Sequence, residues 1–193
     1  GCGPCTDLFA IDYLRVSGQL CYQILDYRGV DYSRDVWNFI HNDIKSFDNN
    51  QIRISFHYRD MCEVIDNISQ GRPNLIVFQY VFSDMNKHTD HCRIEEFIDK
   101  FSSYYNEKCE AGTYIIINDI NLNNSRGGGR DYFEKLHQKL VGVHCVRGHF
   151  FKESAYPYGI EFKENKNLFD LSPLKDYNPF NTCASAQMLI RKD

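Results

Sequence analysis

Apolar positions along the chain keep switching between helical and strand spacing. Leu8, Phe9, Ile11, Tyr13 and Leu14 form one stripe, which predicts a helix over Thr6 to Leu14 capped by Thr6 or Asp7. "YQILDYRGVDYS" reads as a strand ending in Gly29-Val30-Asp31, and "SRDVWNFIHNDIKSF" as a helix capped by Ser33. Ile52, Ile54, Phe56 and Tyr58 alternate as a second strand closing on Asp60. Gly71-Arg72-Pro73 is a turn, and "NLIVFQYVF" is a near-continuous apolar run of the kind buried inside parallel sheets. Next come an amphipathic helix over "DHCRIEEFIDKFSSYYNEK", with Ile94, Phe97, Ile98 and Phe101 on one side, and the buried strand "TYIIIND". "NNSRGGGR" reads as a flexible loop or mobile lid, with Ser83-Asp84-Met85 as a helix start and "RDYFEKLHQKLVG" as a helix stopped by Gly142. The tail changes character: "VRGHFFKE", "YGIEFK" and "SAQMLIRKD" are strands with no helix between them, an antiparallel ending. Alternating strands and helices as far as residue 142 predict an α/β fold with helices on both faces of a mostly parallel sheet. No repeat or linker divides residues 1–193, so one domain is expected.

Composition narrows the class. Hydrophobic residues make up 42% and aromatic residues 15% of the 193, enough for a sizeable core. The net charge of −4 and pI of about 6.0, with no Lys/Arg cluster, lower the expectation of a protein that lives by gripping nucleic acid. No run is long enough to span a bilayer, and no secretory signal is visible. The eight cysteines are scattered through core-forming segments, which reads as reduced thiols and a cytoplasmic setting.

Cys2-Gly3-Pro4-Cys5 allows three chemistries. A redox pair needs a strand feeding the first thiol and a proline opposite, and neither is visible. A zinc site needs further ligands. His88 with His91, and His144, Cys145 and His149, are loose groups without a second Cys-x-x-Cys, so no metal is expected. The third is a Gly-x-Gly loop heading a helix, which lets a ligand approach the backbone. Asp31 closes the next strand 28 residues after Gly3, placed to accept from both hydroxyls of an adenosine ribose. Asp60 closes the following strand and suits an adenine amine, with Met61 against the ring and Gln79 and Tyr80 at the edge of the same crevice. A plain NAD-binding loop is the nearest rival, and its third glycine is absent here.

These segments resemble the class I S-adenosylmethionine (SAM)-dependent methyltransferases over nearly the whole chain. "GCGPC" looks like motif I, "YRGVDYS" like the acidic motif II, "YRDM" like motif III, "NLIVFQYVF" like motif IV and "TYIIIND" like the fifth strand. The resemblance implies a doubly wound seven-stranded sheet in order 3-2-1-4-5-7-6 with an antiparallel C-terminal strand. It implies SAM as cofactor, held by Gly1, Cys2, Gly3, Asp31, Tyr32, Asp60, Met61 and Gln79. The family's first strand is not found before the glycines, so an N-terminally incomplete domain is expected, and Cys5 stands where the family has a third glycine.

Methyl transfer asks for little beyond in-line alignment and sometimes a base, so catalytic residues are hard to read. Tyr80, Asp84, Asn118 and Asp119 are the candidates. The Asn/Asp-Pro-Pro-aromatic motif of base amino-methyltransferases is absent from Phe78-Gln79-Tyr80-Val81, and the Pro-Cys nucleophile of cytosine-C5 enzymes would sit in the wrong loop. A ribose 2′-O-methyltransferase needs a lysine where Asn118 stands. The acceptor (small molecule, protein or RNA) and the oligomeric state stay open. A non-catalytic SAM-fold binding or assembly module is the alternative from a different class.

Overall fold

Leu25–Asp31 (β1) and Ile52–Tyr58 (β2) pair in parallel, with Leu25 opposite Ile52 and Asp31 opposite Tyr58. In this computed structural model the described residues are 1–67, 72–88, 91–150 and 185–193. They cluster into two compact units, Gly1–Asn67 and Ile68–Asp193.

In the first unit the parallel pair is joined by Arg34–Lys45 (α2), as a parallel connection requires. Thr6–Val16 (α1) precedes the pair and Met61–Asn67 (α3) follows it. The two apolar spacings meet in one core of Cys5, Leu8, Tyr27, Ile44, Ile52 and Ile54, with Leu25, Ile40 and Phe56 packed against it. Tyr27 hydrogen-bonds through its hydroxyl to both Asp7 oxygens at 3.1 and 3.3 Å, which satisfies the polar tip of a buried ring.

The second unit holds a four-stranded sheet in the order β3-β4-β6-β5. Leu75–Gln79 (β3) runs parallel to Tyr114–Ile120 (β4), and Ser185–Lys192 (β6) lies antiparallel between β4 and Val143–Phe150 (β5). Its helices are Val81–His88 (α4), His91–Lys108 (α5) and Asp131–Lys139 (α6). Phe78 contacts Phe82, Phe97 and Phe101 edge-on at 4.8–6.0 Å, and Ile94, Ile98, Ile115, Ile117, Met188 and Ile190 complete a dry core. Lys192 donates to the carbonyls of Tyr105, Asn106 and Cys109, so a strand lysine satisfies the last carbonyls of α5.

The α/β class and the antiparallel ending are as the sequence predicts. In the numbering of the implied sheet, the neighbours 3-2 lie in the first unit and 4-5-7-6 in the second. The described strands form two sheets, and the full seven-strand order is not seen.

Several local expectations change. The N-cap of α1 is Cys5 in a left-handed conformation, not Thr6 or Asp7. Ser33 occupies the N-cap of α2, but its side chain makes no capping bond. α3 was not expected at all; Asp60 starts it by accepting from the Cys62 N–H at 2.8 Å. The strand within "NLIVFQYVF" ends at Gln79, and α4 begins at Val81, two residues before Ser83. "NNSRGGGR" is an ordered turn containing the 3-10 segment Asn124–Arg126, because Asn123 caps it and glycines pack beside it. The "YGIEFK" strand lies outside the described residues. Among the described residues no helix is long and apolar enough to cross a membrane.

Candidate functional site

The opening loop of the first unit is stitched to the carboxyl end of β1. The Cys2 N–H donates to the Val30 carbonyl at 2.8 Å, and Cys5 closes a turn back to the Cys2 carbonyl at 2.9 Å. Gly3 has φ +47°, a conformation that side chains disfavour, and Cys5 accepts φ +56° despite its Cβ. The Gly3 N–H donates to one Asp31 oxygen at 2.9 Å, and the Ser33 N–H donates to the other at 2.9 Å. The loop can descend this far because Gly29 lies beneath it. A Cβ at Gly29 would sit 2.9 Å from the Cys2 sulfur and 2.7 Å from the Phe56 ring.

The expected cofactor residues of this unit gather at the ends of two adjacent strands. Gly1 stands next to the Asp31 carboxylate, and its nitrogen lies 4.0 Å from the Met61 sulfur. Asp31 is almost buried, Asp60 and Met61 are half-buried, and Tyr32 is 80% exposed. Asp31 accepts one N–H on each oxygen, and a carboxylate oxygen has room for a second donor.

Sequence reasoning missed His41, which is 1% exposed beneath the loop. Its ring stacks on Phe56 at 4.0 Å, its Nδ1 meets the Tyr58 hydroxyl at 2.7 Å, and its Nε2 donates to the Gly3 carbonyl at 2.7 Å. The signal was there: Trp37, His41 and Ile44 fall at i, i+4 and i+7 of α2, so the histidine sits on the stripe that faces the core. The hydrogen bond Cys2 shares with Cys5, together with burial, pushes the Cys2 thiol up; the same hydrogen bond holds the Cys5 thiol down against the opposing effect of burial. Burial also raises Asp7.

The second unit places the other candidates at the ends of β3 and β4. Gln79 pairs in register with Asn118. Tyr80 is 41% exposed and left-handed at φ +58°, an unusual state for an aromatic residue. Asn118 accepts from Ser185 at 2.8 Å and Gln187 at 3.3 Å. Asp119 is fully buried; it accepts from the Phe82, Ser83 and Ile120 N–H groups at 3.0, 3.2 and 2.7 Å, so it caps α4 from the neighbouring strand. Burial raises its pKa in spite of those donors. Asp84 is exposed and lies 3.7 Å from His88, one turn on.

No protein-family model matches the sequence, and no curated protein matches it. Solved structures do. The N-methyltransferase NodS from Bradyrhizobium japonicum WM9, in complex with S-adenosyl-l-homocysteine, superposes with a TM-score of 0.51 at 10% identity. That match covers 86% of this chain and 65% of NodS. The mitomycin 7-O-methyltransferase MmcR matches at 0.52 and 11% identity, over 100% of this chain and 47% of its own. The StiE O-MT, residues 961–1257, matches at 0.54 and 17% identity, over 100% and 66%. The chain therefore spans about half to two thirds of the methyltransferase structures it resembles. The likeness is one of fold, that of class I SAM-dependent methyltransferases.

Proposed function

We propose that the chain is a SAM-dependent methyltransferase whose cofactor is held by the Gly1–Cys5 loop, Asp31, Asp60 and Met61. The observation that carries this reading is the Gly3–Asp31 contact of 2.9 Å at the carboxyl end of a parallel strand. It joins a loop able to face a ligand's backbone to an acid able to receive ribose hydroxyls. Asp31 would take both hydroxyls on its remaining lone pairs, Asp60 the adenine amine, and Met61 one face of the ring. Tyr32, exposed beside Asp31, would rest against the ribose.

SAM would supply an electrophilic methyl group when bound, and the Gly1–Cys5 loop, Asp31, Asp60 and Met61 would orient it. Among the four catalytic candidates Tyr80 is the one whose side chain is neither buried in a cap nor bonded to another described residue, so it is the catalytic residue we propose. On this reading the 193 residues belong to a single methyltransferase domain that works in the cytoplasm, where thiols stay reduced.

Calorimetric titration with S-adenosylhomocysteine tests the reading. Binding to the folded chain is expected, and Asp31→Ala should weaken it by about tenfold or more, the usual loss for hydrogen bonds to a charged group. A folded chain that binds neither SAM nor its product overturns the proposal. A second reading, a SAM-fold binding module without transfer, is favoured by the occupied states of Asn118 and Asp119. Binding of SAM with no methyl transfer to any small-molecule, protein or RNA acceptor fraction would select it.

A further inference from the structure

Two thiols and a buried imidazole converge under the opening loop. Sγ of Cys2, Sγ of Cys5 and a ring nitrogen of His41 all lie within 4.8 Å of one another. Cys2 Sγ and His41 Nε2 are 3.7 Å apart. Zinc bonds of about 2.3 Å to sulfur and about 2.0 Å to nitrogen place tetrahedral donors about 3.5–3.8 Å apart. We propose that Cys2, Cys5 and His41 form a zinc site with one open position, a site the sequence spacing does not display because its third ligand lies on α2.

The surroundings support a ligand set. His41 is fixed in orientation by the Phe56 ring at 4.0 Å and by Tyr58 at Nδ1, the partnership on the far nitrogen that metal-bound imidazoles keep. Without zinc, Nε2 carries the proton and donates it to the Gly3 carbonyl. On binding, that proton moves to Nδ1, which then donates to the Tyr58 hydroxyl, while Nε2 takes the metal. The two thiols release two protons, so the Zn²⁺ charge is balanced by two thiolates. Cys2 is half-buried and Cys5 fully buried, which gives the metal an entry side and a closed side. Thiolate and imidazole donors together suit zinc over magnesium or calcium. Gly3 and Cys5 both hold left-handed backbone, and a metal tying Cys2 to Cys5 would lock that loop in place.

The site lies under the same Gly1–Cys5 loop as the proposed cofactor site, but its test reads the metal alone. The reduced, metal-stripped chain is titrated with Co²⁺ and followed by absorbance, then competed with Zn²⁺. One cobalt per chain is expected, with a sulfur-to-cobalt charge-transfer band that zinc displaces. Cys2→Ser and Cys5→Ser should each roughly halve the band and weaken zinc at least about tenfold, and the double variant should abolish both. His41→Gln should retain the band and alter the visible ligand-field spectrum. Because His41 is buried in a bonded network and its replacement can unfold the unit, the cysteine variants carry the decision. Absence of the charge-transfer band in the wild type overturns the site, as does zinc affinity undiminished in the double variant. Neither outcome bears on the Asp31→Ala result.

Discussion

Two glycine-bearing turns in this molecule each pack against an aspartate at the end of a parallel strand, and they do different things. In the first unit, Gly1 and Gly3 approach Asp31, which receives one backbone N–H on each oxygen and keeps 6% of its surface. In the second, Gly129 packs on Asp119, which receives three N–H groups and keeps none of its surface, and Gly128 packs on Leu122 beside it. A Cβ at Gly129 would lie 2.5–2.7 Å from the Asp119 carboxylate, so the glycine is there to let the turn close over a cap. Glycine marks close approach in both places. On the proposed reading the first is a binding loop and the second a packing loop, and what separates them is whether the acid beneath still has acceptor capacity and an opening.

The comparison breaks most visibly at Gly128. A Cβ there would fall 2.0 Å from the Leu122 carbonyl oxygen, backbone that cannot swing aside. Gly128→Ala should cost about 3 kcal/mol, the upper end for overpacking, in urea unfolding, while S-adenosylhomocysteine affinity per folded molecule holds. Asp119→Asn comes next. It leaves buried N–H groups of Phe82, Ser83 or Ile120 short of an acceptor, at a cost of about 2 kcal/mol at neutral pH. Asp119 has a raised folded pKa, so the folded state holds a proton that the unfolded chain gives up. Its contribution is therefore fully present below the unfolded value and lost as pH rises through the folded one. The cost of Asp119→Asn should grow as pH falls from neutral into the acidic range. A cost that shrinks instead would show that the three donors outweigh burial.

An intermediate effect belongs to Gly29, whose missing side chain leaves room for Phe56 and the Cys2 sulfur. These are side chains rather than backbone, and they can give way. Gly29→Ala should cost about 1–2 kcal/mol, and it should also lower zinc and S-adenosylhomocysteine affinity by lifting the loop. Loss of stability without loss of either affinity would detach the loop from the strand below it.

What could be read from the sequence follows from how local each signal is. The periodic stripes of α1, α2 and α5 and the apolar runs of β3 and β4 sit within single segments, so they were legible. The place of Asp31 at the end of β1 against the glycine loop was legible because strand end and loop carry independent marks. His41 was not, since one histidine on an apolar stripe has no partner until α2 packs under Cys2 and Cys5. The role of Asp119 was hidden for the same reason: "TYIIIND" ends in turn-like residues, and only the fold shows that the carboxylate caps α4. The ordered state of "NNSRGGGR" needed the contacts of Gly128 and Gly129, which composition reads as freedom.

The smallest expected effect tests the loop most finely. Ser33 stands at the N-cap of α2, where replacing serine by alanine ordinarily costs about 1 kcal/mol. Its hydroxyl makes no capping bond, whereas its N–H holds the Asp31 oxygen at 2.9 Å and its carbonyl receives the Trp37 N–H at 3.2 Å. Alanine keeps both backbone groups. Ser33→Ala should therefore change stability by less than about 0.5 kcal/mol and leave S-adenosylhomocysteine affinity unchanged. A cost near 1 kcal/mol would mean that the hydroxyl caps the helix after all. In either case the Ser33 N–H stays on Asp31, so the acceptor capacity left on that carboxylate is what two backbone donors leave it, against three on Asp119.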